Sequence, residues 1–172
     1  MSPVDAFLSR GKAASGAFPA ASTALIHVTW DASPDLEQFL GFINAYARGR
    51  FSNNVAERVT LASTELLDNA VRYGSLARDF TYRLAVDGQR VAVSMQNTTV
   101  TTRIEMLSAQ LKRLELAPDQ VYSSELERSM STGPSSGRRS MLGLARIRHE
   151  AEMRIELEVD GNDVTVRAIC SR

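Results

Sequence analysis

Two stretches of this chain repeat one pattern: a run alternating apolar and polar residues, a turn containing glycine, and a second alternating run. In the first, Phe80 to Val86 and Arg90 to Gln96 flank Asp87-Gly88; in the second, Met153 to Val159 and Val164 to Ile169 flank Gly161-Asn162. A period of two puts alternate side chains on one face, and glycine supplies the positive φ of a tight turn, so each stretch predicts an antiparallel hairpin. A hairpin with one apolar face needs another layer to cover it. The run Ala24 to Trp30, with Leu25, Ile26, Val28 and Trp30, predicts one further strand.

Helical periodicity supplies the covering layer. Leu36, Phe39, Leu40, Ile43 and Tyr46 recur at helical spacing after Pro34, with Asp31 or Ser33 available as the cap. A second helix is predicted from about Asn54 to Tyr73, burying Val55, Val59, Ala62, Leu66, Leu67 and Ala70. A third runs from Thr101 to Leu116 with Ile104, Leu107, Leu111 and Leu114 on one side; a fourth follows Pro118, and Leu142 to His149 forms a short fifth. Between the last two, Ser129 to Ser140 reads as a flexible Ser/Gly/Pro-rich basic loop. The expected fold is α+β, a two-layer α/β sandwich with a mixed, mostly antiparallel sheet. At 172 residues the chain supports one core, so residues 1–22 are expected as a tail or short helix and 23–172 as a single domain.

Charge and composition narrow the function. Twenty basic and twenty acidic residues cancel, which points to neither nucleic acid nor a membrane surface, so any anion must be held locally. The single cysteine, Cys170, makes no internal disulfide and no thiolate cluster, which fits a reducing cytoplasm. With His27 and His149 the only histidines, zinc chemistry is disfavoured, and the sequence shows neither a secretory signal nor a membrane span.

The chemistry concentrates in Glu65-Leu66-Leu67-Asp68-Asn69-Ala70-Val71-Arg72-Tyr73-Gly74. Residues four apart share a helical face, so Glu65 and Asn69 can present a carboxylate and an amide oxygen to one spot. Magnesium keeps most of its waters and needs one or two protein oxygens beside phosphate oxygens, while a carboxylate one turn away can take a proton. Arg72 and Tyr73 fall on the next turn, and Gly74 is expected to close the helix in the left-handed conformation. The same spacing also describes the polar face of an ordinary amphipathic helix. Arg72 can pair with Glu65, Asp68 or Asp79 without a ligand. Arg138 and Arg139 either meet phosphates or merely solubilise, and the run Arg146, Arg148, Glu150, Glu152, Arg154 most simply describes a solvated face. Neither histidine has a partner visible in sequence, and Cys170 reads as a small core residue.

This stretch resembles the N box of the GHKL superfamily, the histidine-kinase-like ATP-binding domains. Arg139-Ser140-Met141-Leu142-Gly143-Leu144 resembles the glycine-bearing segment that ends the ATP lid in the anti-sigma serine kinases of that superfamily. The resemblance spans roughly residues 24 to 170 and is closest to the SiaB-like protein kinases. It implies a Bergerat-type ATP-binding fold, with ATP and Mg2+ as cofactors. It further implies Glu65 as general base, Asn69 as metal ligand, and Arg72, Tyr73, Asn97, Arg139, Leu142, Gly143 and Leu144 as nucleotide-binding residues. One departure is plain: where the family carries Asp-x-Gly-x-Gly for adenine, this chain has Gln96-Asn97-Thr98-Thr99-Val100. Asn97 can still accept a hydrogen bond from an amino group through its side-chain oxygen.

The resemblance implies an ATP-dependent serine/threonine kinase acting on a small regulatory partner, a STAS-like anti-sigma antagonist. The alternative is a catalytically degenerate module that sequesters a sigma factor or antagonist without phosphotransfer. An ATPase driving conformational change ranks last, for lack of a transducer domain. The apolar positions of the first helix can serve a homodimer or simply the core.

Overall fold

Glycine opens both hairpin turns with the backbone that only glycine adopts cheaply: Gly88 has φ +53 and Gly161 φ +60. The first turn sits one residue later than the sequence suggests, because Asp87 still pairs with Arg90 and leaves Gly88-Gln89 as the loop. The structure, a computed structural model, describes residues 22–30, 35–74, 79–132 and 140–172. Its strands are β1 (Thr23–Trp30), β2 (Phe80–Asp87), β3 (Arg90–Thr98), β4 (Arg154–Asp160) and β5 (Asp163–Ser171), in the order β1-β2-β3-β5-β4.

Every pairing in this sheet is antiparallel, where a mixed, mostly antiparallel sheet was expected. The reason is the second hairpin. β4 runs in the same direction as β3, but β5 folds back between them and pairs with both. The predicted tail, residues 1–22, lies outside the described residues up to position 21.

The described residues include five helices, α1 (Leu36–Arg50), α2 (Asn53–Tyr73), α3 (Thr101–Leu116), α4 (Pro118–Thr132) and α5 (Ser140–His149); α2, α3 and α5 meet the sheet, α1 packs on α2, and α4 packs on α3 and α5. Asp31 and Ser33 lie outside the described residues; the cap of α1 is Asp35, whose carboxylate accepts from the Gln38 N–H at 3.1 Å. Glu37 in its first turn and Arg48 and Arg50 in its last complement the helix dipole. Pro118 opens α4, where a missing N–H costs nothing, and so separates α4 from α3. α4 extends to Thr132, so the Ser/Gly/Pro-rich segment outside the described residues is 133–139 rather than the whole of 129–140.

α2 is the central helix. It buries Val55, Ala56, Val59, Ala62, Ser63, Leu66, Leu67 and Ala70, and packs against α1, β3, β5 and α5. Opposite it the sheet offers Tyr82 and Leu84, then Val91, Val93 and Met95, then Val164, Val166, Ala168 and Cys170, aligned rung by rung. Each fully buried Leu, Val or Met contributes about 1.5–3 kcal/mol of transfer free energy, so this layer contact dominates the core. On the other face Thr81, Arg83, Ser94, Gln96, Thr165 and Arg167 alternate with the core positions, beside an apolar row of Ala85, Ala92 and Ile169, and Arg167 donates to Glu156 at 3.2 Å. No helix among the described residues is long and apolar enough to cross a membrane.

Candidate functional site

The end of α2, the end of β3 and the face of α3 enclose a cavity over the centre of the sheet. Leu66, Asn69, Ala70 and Tyr73 supply one wall, Met95, Asn97, Val164 and Val166 the floor, and Arg103, Met106, Leu107 and Gln110 of α3 the far side, with Leu144 of α5 at one end. Apolar walls with a few polar groups at the rim are what an aromatic ring with polar edges requires.

The last turn of α2 is tied to the end of β3. The Thr99 hydroxyl donates to the Tyr73 carbonyl at 2.7 Å, and the Arg103 guanidinium lies 4.8 Å above the Tyr73 ring, a cation–π contact. Gly74 closes the helix, but in extended backbone (φ −72, ψ 160), not the left-handed conformation expected of it. Its small size matters for another reason. A Cβ there would collide with the Ala70 carbonyl and would lie 2.7 Å from the Phe80 ring and 2.9 Å from Asn97 Nδ2. Glycine therefore lets α2 end against β2 and brings Asn97 to the cavity.

Glu65 and Asn69 lie one turn apart and both face α5, where Gly143 approaches them. A Cβ on Gly143 would sit 2.6 Å from Glu65 Oε2 and 3.5 Å from Asn69 Nδ2. The Glu65 side chain is only 13% exposed, and Arg146, one turn beyond Gly143, donates from Nη1 to Glu65 Oε1. Burial raises the Glu65 carboxyl above its ordinary 4.5; the Arg146 charge pulls the other way without cancelling that rise.

Arg146 is shared. Its Nε and Nη2 donate to the two oxygens of Glu150 at 3.0 and 3.2 Å, and the Tyr122 hydroxyl of α4 donates to Glu150 Oε1 at 3.0 Å. Burial by itself would raise the Glu150 carboxyl, but the hydrogen bonds from Arg146 and Tyr122 outweigh it and hold Glu150 below its ordinary value. The Tyr122 ring stacks on His149 at 4.1 Å, and His149 Nδ1 lies 3.0 Å from Asp119.

Of the residues singled out in sequence, Asn69, Tyr73, Asn97 and Leu144 line the cavity, and Glu65 and Gly143 meet beside Asn69. Arg72 does not join them: it pairs with Asp68 at 2.9 Å on the outer side of α2. Leu142 is half-buried in α5 but is not a lining residue. Arg139 lies outside the described residues. Sequence reasoning missed Arg146 and Glu150, placed in a solvated face; their spacing of four was a visible signal, but which face α5 turns inward was not. His149 has a partner across the α4–α5 contact that the sequence hid, and Arg103 and Gln110 of α3 were unmarked. Among the described residues no group of three or more His, Cys, Asp or Glu side chains is placed to hold a metal.

No family model matches the sequence, and no curated protein matches it. Among solved structures, a chain from the SiaB–SiaC complex of Pseudomonas aeruginosa is similar over 99% of both chains, with a TM-score of 0.61 at 16% identity. A histidine kinase from Burkholderia phymatum STM815 aligns over 98% of this chain and 77% of its own, with a TM-score of 0.41 at 18% identity. The first likeness shows the fold: the chain shares the α+β architecture of a chain in that complex, a helical layer over an antiparallel sheet.

Proposed function

We propose that the chain is an ATP-dependent serine/threonine protein kinase acting on a small regulatory protein. The observation that carries this reading is the convergence of Gly143 on Glu65 and Asn69, with Asn69 and Asn97 both lining the adjoining apolar cavity. The cavity walls suit a purine, and the α5 end suits phosphates, since a helix start with a glycine nearby offers backbone N–H groups to anions. Magnesium fits this donor set without a carboxylate cage, because it retains waters and takes phosphate oxygens alongside one protein oxygen, here that of Asn69. Once bound, the metal supplies positive charge against the phosphate oxygens.

Glu65 then has a defined task. A partner hydroxyl attacks the terminal phosphorus, the bond to the diphosphate oxygen breaks, and the hydroxyl proton passes to a Glu65 oxygen. A carboxyl raised by burial holds that proton better than an exposed one. Asn97, at the rim where the family carries an aspartate, is neutral and offers either an acceptor or a donor to the base edge. The similar structure is a complex of two proteins, which supports a small regulatory protein as the partner here; the STAS-like antagonist class rests on the resemblance of the motifs alone.

The replacement of Asp-x-Gly-x-Gly by Gln96-Asn97-Thr98-Thr99-Val100 favours a second reading, a module that binds its partner without phosphotransfer. Calorimetric titration with Mg-ATP separates the two. The kinase reading expects saturable binding below millimolar nucleotide, and none at that concentration sinks it. With partner present, Glu65→Gln is expected to abolish transfer of labelled phosphate while nucleotide binding persists; transfer that survives removes Glu65 as base.

A further inference from the structure

Arg146 faces two carboxylates with one guanidinium, and it divides its donors unequally between them. Nε and Nη2 form a fork on the two oxygens of Glu150, whereas Nη1 alone reaches Glu65. Glu150 is further held by the Tyr122 hydroxyl, so that side of the guanidinium is anchored to the α4–α5 pair. Arg146 Nη1 and the Gly143 backbone both border Glu65 on α2, and Asn69 lies beside them. The three side chains carry one positive and two negative charges. A triphosphate arriving at Asn69 and Gly143 would add more negative charge beside a carboxylate that is only 13% exposed, and screening there is weak.

The geometry points to Arg146 as a phosphate-binding residue held in reserve: its Nη1 leaves Glu65 for the terminal phosphate of a bound nucleoside triphosphate, while its fork stays on Glu150. Only one hydrogen bond changes hands, because a guanidinium carries five donors in a rigid plane and the anchored edge does not move. The exchange does two things at once. It puts a fixed cation on the phosphoryl group, and it frees Glu65 Oε1 for a hydroxyl proton. Before nucleotide arrives the base is occupied; afterwards it is available. This inference rests on the nucleotide-binding reading above and adds to it a residue outside the motifs that suggested that reading.

The test compares Mg-ATP with Mg-ADP by calorimetry on the full chain, because only the triphosphate carries the group Arg146 would touch. Wild-type protein is expected to bind Mg-ATP about tenfold tighter than Mg-ADP, the scale of one charge-assisted hydrogen bond less the pair given up. Arg146→Met is expected to bring the two affinities within about twofold, leaving Mg-ADP binding unchanged. Glu65→Gln is expected to move the ratio the other way, raising it severalfold, because Nη1 no longer leaves a carboxylate. A merely structural role weakens both nucleotides alike. If Arg146→Met keeps the wild-type ratio, the assignment is overturned while the nucleotide reading stands. Should that variant not fold, the Glu65→Gln ratio decides: an unchanged or lowered ratio overturns the exchange. Wild-type protein that binds neither nucleotide overturns the underlying reading and this inference with it.

Discussion

Ser63 commits its single hydroxyl proton to the Val59 carbonyl at 2.7 Å, so the buried Tyr82 hydroxyl, 2.8 Å away, is the donor in the contact joining α2 to β2. Burial pushes the Tyr82 hydroxyl well above its ordinary value. Ser63→Ala leaves this hydroxyl unsatisfied and is expected to cost about 1–3 kcal/mol, whereas Tyr82→Phe removes the group altogether and should cost less. Urea titration of the two variants checks the order. Glu65 shows the opposite economy. Its folded-state pKa lies above the ordinary 4.5, so its contribution is present below that value and is lost as pH rises through the raised one. Ionised Glu65 is thus a net burden on the fold at neutral pH. Glu65→Gln is therefore expected to leave the melting temperature unchanged or higher at pH 7.5, with the gap closing towards pH 4. A clear loss of stability at pH 7.5 would show that the Arg146 pair outweighs burial. Glu150, held below 4.5, behaves conversely: its contribution is present above 4.5 and is lost as pH falls through its lowered value.

Two glycines separate stability from function. Gly143 lies inside α5, and the nearest atom to an added Cβ is Glu65 Oε2, the free end of a flexible side chain. Alanine in a helix is worth about 0.5–1 kcal/mol over glycine, so Gly143→Ala is expected to melt at the wild-type temperature or above it. It must nevertheless displace the Glu65 carboxylate, and under the proposed phosphotransfer a misplacement of about 1 Å costs about a hundredfold in rate. A stable variant with normal phosphotransfer would disprove the close α5 contact. Gly74 is the contrary case. Its neighbours are the Ala70 carbonyl and the Phe80 ring, which belong to backbone and core, so Gly74→Ala is expected to cost about 1–3 kcal/mol as overpacking. Denaturant midpoints of the two alanine variants should therefore move in opposite directions. α2 ends in glycine to fit a crowded junction rather than to adopt a special φ.

On the scale of the molecule, α2 touches sheet, α1 and α5 together, so the layers share one core. Trp30 on β1 packs edge-on against Phe39 of α1 at 4.7 Å, and Phe39 in turn meets Tyr82 at 5.1 Å. Its fluorescence therefore reports on the strand farthest in sheet order from β4. If residues 23–172 are a single domain, tryptophan emission and far-ultraviolet circular dichroism should give coincident urea transitions. An earlier fluorescence transition would mean that β1 and α1 melt as a separate unit.

Both hairpins, the extent of α2 and the pairing of Glu65 with Asn69 on one face were legible in the chain, because periodicity and turn chemistry are local properties. Residues two or four apart declare their face whatever else the protein does. The docking of α5 was decided by the tertiary structure. Arg146 and Arg148 look alike in a run of mixed charge, and only the packing of α5 on α2 turns the first of them onto a buried carboxylate. The all-antiparallel sheet was likewise out of local reach, since it depends on β5 inserting between β3 and β4. The sequence by itself determined which elements form and which face of α2 carries Glu65 and Asn69. Tertiary structure decided what opposes that face, a glycine, an arginine and a cavity, because such contacts join residues about eighty positions apart, beyond the reach of any local period.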